Sequence, residues 1–314
     1  MENATDLVTA AQRKLQNKSQ QSVRTTRWSH YTMPELPEVE TVRRGIEARV
    51  VGRRISEVEV GRERSVRRVG KEAVIHGLLG ATLVSARRRG KYILCDLDTG
   101  EQLMIHLRMS GRVLVEQAGT ERPPHTHVVL TLAERDGVVE EMWFVDPRTF
   151  GEVVVFDPAH TAEVLPELAR LGVDPIVDEF DAEVLARALR GRRGALKPLL
   201  LNQHIVAGIG NIYADEILHL AGLRWNRTVD SLSRKKINEL ATHISEVLTQ
   251  AIEAGGSTLQ DTQYVDIEGN VGSFQENHRV YGREGQGCIT CGKVSIRRVM
   301  VAGRSTSYCP RCQK

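Results

Sequence analysis

From Met33 onward the apolar positions fall into three successive patterns, and each predicts a different kind of element. Val39, Val42, Ile46 and Val50 are spaced three, four and four apart, which places them on one face of a helix. Pro34 and Pro37 stand at its start, where a missing N–H is harmless. Between Ile55 and Phe156 the pattern becomes that of strands: SEVEV, ATLVSA, KYILCDLD, QLMIHL, GRVLVE, HVVLTL, VVEEMWFV and EVVVF, separated by Gly, Asp and Pro signals. Several alternate, as half-buried antiparallel strands do. Eight short strands within about 100 residues predict a β-sandwich or barrel behind a leading helix. Farther on the period lengthens, and helices are expected at roughly 181–190, 196–203, 211–221 and 233–253. The turn HIVAGIG separates the middle two, Gly222 stops the third and Gly255-Gly256 the fourth. Residues 257–283 show no clear period, which predicts a functional loop more than packing.

The predicted whole is α+β. A sandwich domain over 34–160 is followed by a segment over 161–180, whose LGVDP reads as a linker, then by a helical domain over 181–283 and a cysteine-bearing end over 284–314. Residues 1–32 are polar, lack the apolar core of a secretory signal and hold no sustained period, so they are expected to be a disordered extension outside the natural protein. No apolar run approaches the ~18 residues a membrane-spanning helix needs.

Composition changes this picture little. The 314 residues are 41% apolar, with 43 Lys+Arg against 40 Asp+Glu, as in a soluble chain of about two domains. The net charge of +3 vanishes once residues 1–32, with five bases and two acids, are set aside. Distribution says more: residues 157–183 carry eight acids against Arg170 alone, and residues 279–314 carry eight bases against Glu284 alone. A neutral chain with a basic end can still bind phosphate.

Cys288, Cys291, Cys309 and Cys312 form C-x2-C-x17-C-x2-C. Four thiolates at this spacing suit one structural Zn2+, with the intervening residues folding as a β-hairpin on the metal, and a reducing, intracellular setting fits them best. Lys293, Arg297, Arg298, Arg304 and Arg311 ride on this finger, which suits contact with DNA. Cys95 alternates with Ile93 and Leu97 and reads as a core residue. Gly208-Ile209-Gly210-Asn211 opens a helix; it reads either as a plain turn or as a phosphate site at exposed N–H groups, with Asn211 as cap or donor. Arg87, Arg88, Arg89 and Lys91 are a solvated face or a phosphate site. Asp146-Pro147-Arg148-Thr149-Phe150-Gly151 links two strands and places Arg148 and Phe150 on one side of a turn, where Phe150 reads either as a core residue, the commoner case, or with Arg148 as a wedge into a base stack.

MPELPEVETVRRGIE at 33–47, RRRGKYIL at 87–94, HLRMSGR at 106–112, DPRTFG at 146–151, GIGNIYADE at 208–216, GGSTLQD at 255–261, VYGREG at 280–285 and the terminal GRSTSYCPRCQK together resemble bacterial formamidopyrimidine-DNA glycosylase, in the family's order from Met33 to Lys314. The resemblance implies a β-sandwich joined to a helix-two-turn-helix domain with a zinc finger. It implies a bacterial cytoplasmic enzyme that removes 8-oxoguanine and formamidopyrimidines from damaged double-stranded DNA and then cuts the strand; binding through one finger and one helix-turn-helix surface needs only a monomer, which is expected. It puts the nucleophile on Pro34 and the catalytic acid on Glu35. Lys91 falls at the lesion and its phosphate, Asn211 and Arg304 at phosphate clamps, and His106 at a DNA contact. Met109, Arg148 and Phe150 fall where the gap left by an extruded base is filled.

Two departures stand out. Pro34 has a reactive secondary amine only as the first residue of the chain, because inside a peptide bond its nitrogen is an amide; translation from Met33, or removal of the extension, is therefore expected. Thr149 stands where the family pattern has arginine. The rival readings are an enzyme similar to endonuclease VIII, acting on oxidised pyrimidines, a non-catalytic damage-binding protein with a blocked proline, and a zinc-finger DNA-binding regulator.

Overall fold

In a computed structural model, described here for residues 33–259 and 264–314, the leading helix α1 spans Leu36–Arg49 and buries the predicted stripe of Val39, Val42 and Ile46. Behind it lie two four-stranded antiparallel sheets. One is ordered β1 (Ile55–Val60), β6 (Thr126–Arg135), β7 (Val138–Val145), β5 (Arg112–Gln117). The other is ordered β2 (Leu83–Arg89), β3 (Tyr92–Leu97), β4 (Gln102–His106), β8 (Glu152–Phe156). Alternate residues of both sheets, among them Val113, Val128 and Phe144 from the first and Ile93, Cys95 and Val153 from the second, enclose one core that also takes in the α1 stripe. Cys95 is fully buried there, as expected.

The strand pattern hid one element. Helix α2, Lys71–Leu78, follows β1 and buries Val74 and Leu78. The segment expected as a linker is no free tether: α3 (Thr161–Val164) and α4 (Pro166–Ala169) set Leu165 and Leu168 against Met104, Val154 and Phe156 on the outer face of the second sheet. In LGVDP, Asp174 is fully buried.

The helical part comprises α5 (Ala182–Leu189), α6 (Leu196–Leu200), α7 (Asn211–Leu220) and α8 (Arg234–Glu253), which share a second core. Leu36, at the start of α1, belongs to this second core while the rest of the α1 stripe belongs to the first. Among the described residues of the expected loop over 257–283 several are packed: Tyr264 and Ile267 enter the first core and Phe274 and Tyr281 the second. The finger follows as the hairpin β9 (Arg297–Val301) and β10 (Arg304–Tyr308). The extension over 1–32 lies outside the described residues. Among the described residues no helix is long and apolar enough to cross a membrane.

Candidate active site and nucleic-acid interface

The two cores meet at Glu35. This residue precedes α1, is 2% exposed, and aims its carboxylate at the start of α7, where Oε1 accepts the Ile212 N–H at 2.9 Å and Oε2 the Tyr213 N–H at 3.4 Å. The glycines of GIGN make this approach possible. A Cβ on Gly210 would sit 2.2 Å from Glu35 Cδ, and one on Gly208, at φ +95°, would sit 2.4 Å from Leu36 Cδ1. The N–H groups of Ile212 and Tyr213 therefore serve a carboxylate of the chain itself, and the expectation that this helix start offers them to a phosphate is corrected. Burial pushes the Glu35 carboxyl up to about 7 against the pull of Lys91 and the two N–H groups, with Glu38 adding to the rise. A carboxyl so placed is half protonated near neutrality and suits general acid chemistry.

Lys91 lies at the tip between β2 and β3 and is 5% exposed. Burial lowers its pKa, Glu35 and Glu38 oppose that, and Arg304 adds to it. A Cβ on Gly90, beside it, would come within 3.2 Å of Ala207, so the tip is seated against the loop that leads into α7. The neighbouring arginines are held by acids of the chain itself, and only Arg87 is on a solvated face. Arg88 is buried between Glu40 at 3.0 Å and Asp174 at 2.6 Å, Arg89 pairs with Asp178 and Arg87 with Asp96. Of that basic run, Lys91 faces the acid. His106 is buried beside Lys91 and Arg108, and burial followed by their charges holds it well below the usual imidazole range. Its Nδ1 accepts the Arg108 N–H at 3.0 Å, which leaves the proton on Nε2 and makes the neutral ring a donor.

Arg304 is exposed at the turn of the finger hairpin, after Ala302 and Gly303, both at positive φ. Asn211 reaches the adjacent residue, its Nδ2 donating to Ser305 Oγ at 3.4 Å. A buried ion pair holds this junction: Lys197 Nζ meets Asp215 Oδ1 at 2.6 Å and also donates to Ser305 O and Thr306 Oγ1, while Asp215 Oδ2 accepts the Ser307 N–H. Glu216 accepts the N–H groups of Arg279, Val280 and Tyr281 at 2.8 to 3.0 Å. Sequence reasoning missed these three residues, and it missed Glu38, which accepts the N–H groups of Glu35 and Ser257 and the hydroxyl of Tyr213. For the three acids the available signal was their place inside two motifs, PELPEVE and GIGNIYADE; Lys197 carried none.

The four finger cysteines fit a metal. A tetrahedral site with Zn–S near 2.3 Å has sulfur edges of about 3.8 Å; Cys288 and Cys312, and Cys291 and Cys309, stand 3.8 Å apart, and all four sulfurs lie within 4.8 Å of one another. Such a Zn2+ has no open position and supplies folding, not chemistry.

A second group lies at the crossings between the sheets. Met109 sits between β4 and β5, and Arg148 and Phe150 between β7 and β8. The Arg148 guanidinium stacks over the Phe150 ring at 5.0 Å, and Phe150 is 38% exposed, so the pair shares one side of the turn.

Three family models match in succession: the formamidopyrimidine-DNA glycosylase N-terminal domain over residues 33–153, its H2TH domain over 171–263, and the zinc finger found in FPG and IleRS over 285–314. Formamidopyrimidine-DNA glycosylases of Corynebacterium jeikeium and Cereibacter sphaeroides are 42% and 46% identical, each over 90% of this chain and 100% of its own length. Among solved structures, the Lactococcus lactis Fpg in complex with abasic-site DNA is 35% identical with a TM-score of 0.80, covering 89% of this chain and 99% of that one. The same protein with Fapy-dG DNA gives 0.79 at 35% identity, covering 89% and 100%. The chain belongs to the formamidopyrimidine-DNA glycosylase family.

Proposed function

We propose that this chain is a bifunctional glycosylase and abasic-site lyase of base excision repair, which removes oxidised purines from duplex DNA through the amine of Pro34. The observation that carries this reading is the Glu35 carboxyl, sealed from water, held on two helix N–H groups with its pKa near 7, and adjacent in the chain to Pro34. Attack of the proline nitrogen on C1′ expels the base. Glu35 protonates the sugar ring oxygen as the ring opens, which gives an iminium. Its fixed positive charge is the electron sink for elimination of the 3′ and then the 5′ phosphate, and water returns the amine.

The remaining side chains bind and position. Lys91 meets the lesion and its phosphate, the His106 Nε2–H is a further donor to DNA, and Asn211 and Arg304 clamp phosphate from the helix start and the finger. Met109, Arg148 and Phe150 fill the hole left by the extruded nucleotide, with Arg148 on the orphaned base. The amine requires that Pro34 end the chain, so the proposal includes a start at Met33, where the N-terminal family match begins, and loss of that methionine. A monomer working on DNA in the bacterial cytoplasm suffices for this surface.

The test is borohydride trapping on duplexes carrying 8-oxoguanine or thymine glycol, with protein starting at Pro34 compared with protein starting at Met1. An adduct on Pro34, in the short form and with 8-oxoguanine, is expected. No adduct in either form would overturn the enzyme reading in favour of damage binding, an adduct mapped to Lys91 would move the nucleophile, and preferential cutting at thymine glycol would reassign the substrate to oxidised pyrimidines.

A further inference from the structure

The side chains proposed to fill the hole come from two loops, 107–111 and 146–151, both crossings from one sheet to the other. Asp146, fully buried, joins them. Its Oδ1 accepts the hydroxyl of Ser110, the neighbour of Met109, and also the Arg148 N–H at 3.1 Å; its Oδ2 accepts the Gly151 N–H at 2.7 Å. One carboxylate thus holds the stem of Met109 and both sides of the turn that presents Arg148 and Phe150.

The backbone it holds does not relax into that shape unaided. Thr149, β-branched, stands at φ +56° and Arg108 at φ +52°, a region that residues other than glycine seldom occupy. Around them the space is closed: a Cβ on Gly111 would lie 2.5 Å from Leu107 O, and one on Gly151 would lie 2.5 Å from Phe144 Cζ. Strained conformations of this kind persist where the surroundings over-determine them. From the far side, Arg108 is held by Glu152 at 3.0 Å.

We infer that Ser110 and Asp146 are positioning residues that lock the two loops together, so that Met109, Arg148 and Phe150 enter the base stack as one preorganised wedge. This rests on the proposed hole-filling role of those three side chains. Fixing the loops before binding removes an ordering cost that would otherwise be met at the moment of base extrusion.

The experiment compares single-turnover excision of 8-oxoguanine from a duplex with cleavage of a preformed abasic site in single-stranded DNA, where no stack is entered, in protein beginning at Pro34. Ser110→Ala removes one hydrogen bond and is expected to slow duplex excision about fivefold, to leave single-strand cleavage unchanged, and to lower the fluorescence change of 2-aminopurine beside the lesion. Ser110→Thr, which keeps the hydroxyl, is expected to restore all three. In a Phe150→Ala background the Ser110→Ala effect should shrink, because the wedge is already blunted. Duplex excision by Ser110→Ala at the parent rate, with Met109→Ala and Phe150→Ala impaired, would overturn the coupling. Equal losses on both substrates would overturn it too, as a general loss of structure. Met109→Ala and Phe150→Ala both at full duplex rate would instead remove the hole-filling reading on which it rests.

Discussion

Replacing Glu35 by glutamine should make the protein more stable at alkaline pH while it disables the chemistry. The carboxyl is pushed from 4.5 to about 7, first by burial. At about 1.4 kcal/mol per pKa unit, holding it ionised at pH 8.5 costs the fold about 3 kcal/mol relative to its protonated form. Because the folded value lies above the unfolded one, that stability is complete below 4.5 and is lost as the pH climbs through about 7. Glutamine cannot ionise. Its oxygen still accepts the Ile212 N–H, but its amide faces the Tyr213 N–H, a mismatch of about 1 kcal/mol. The two proteins should therefore be about equally stable near pH 5, with the variant ahead by about 2 kcal/mol at pH 8.5, or about 4 °C in Tm for a chain of this size. The assay is thermal unfolding of both proteins, starting at Pro34, across that pH range, with single-turnover excision alongside. The charge at position 35 also acts on Lys91, so the pair of curves is repeated in a Lys91→Met background, where the difference isolates position 35. Parallel curves from pH 5 to 8.5 would refute the reasoning.

Four further outcomes are expected. Excision under single-turnover conditions should fall about tenfold per pH unit above about 7 as the acid ionises, and Lys91→Met, which removes a charge that lowers the Glu35 pKa, should move that limb to higher pH; a flat profile would remove Glu35 as the acid. Gly210→Ala puts a methyl 2.2 Å from Glu35 Cδ and should cost about 100-fold in excision at unchanged zinc content, whereas a normal rate would mean the acid does not act from this position. Lys197→Met strands the buried Asp215 and should cost about 3 to 5 kcal/mol in urea unfolding, with much of it recovered when Asp215→Leu is added; a double variant worse than the single would contradict the pairing. Chelating the zinc should unfold the finger and abolish duplex affinity, and activity after complete metal removal would refute a structural metal.

What could be read from the chain was whatever is encoded within a few residues. Strand alternation, the α1 stripe and the paired CxxC steps are local, and each stands where it was expected. Helix α2 escaped because eight residues among strands offer little more than the spacing of Val74 and Leu78. Charged residues were the larger failure. Arg88 reads as solvated until Asp174 arrives from 86 positions away, and the N–H groups of α7 read as a phosphate site until Glu35 arrives from 177 positions away. Periodicity carries no information about such meetings. The glycines did mark the place, since Gly208 and Gly210 signalled a close approach, but they did not name the visitor.

That meeting also explains why the acid depends on the whole molecule. Leu36 is seated in the helical core while Val39, Val42 and Ile46, on the same helix, are seated in the sandwich core. The carboxyl of Glu35 therefore lies where one core delivers the side chain and the other delivers the N–H groups. Its raised pKa comes chiefly from burial, and that burial exists only while the two cores stay packed. If the seam opened and water reached the carboxylate, the desolvation that dominates the shift would vanish, and the pKa would return toward 4.5. At neutral pH the acid would then hold no proton to give. The packing of Leu36 under Gly208, remote from any bond that breaks, is in this sense part of the proton donor.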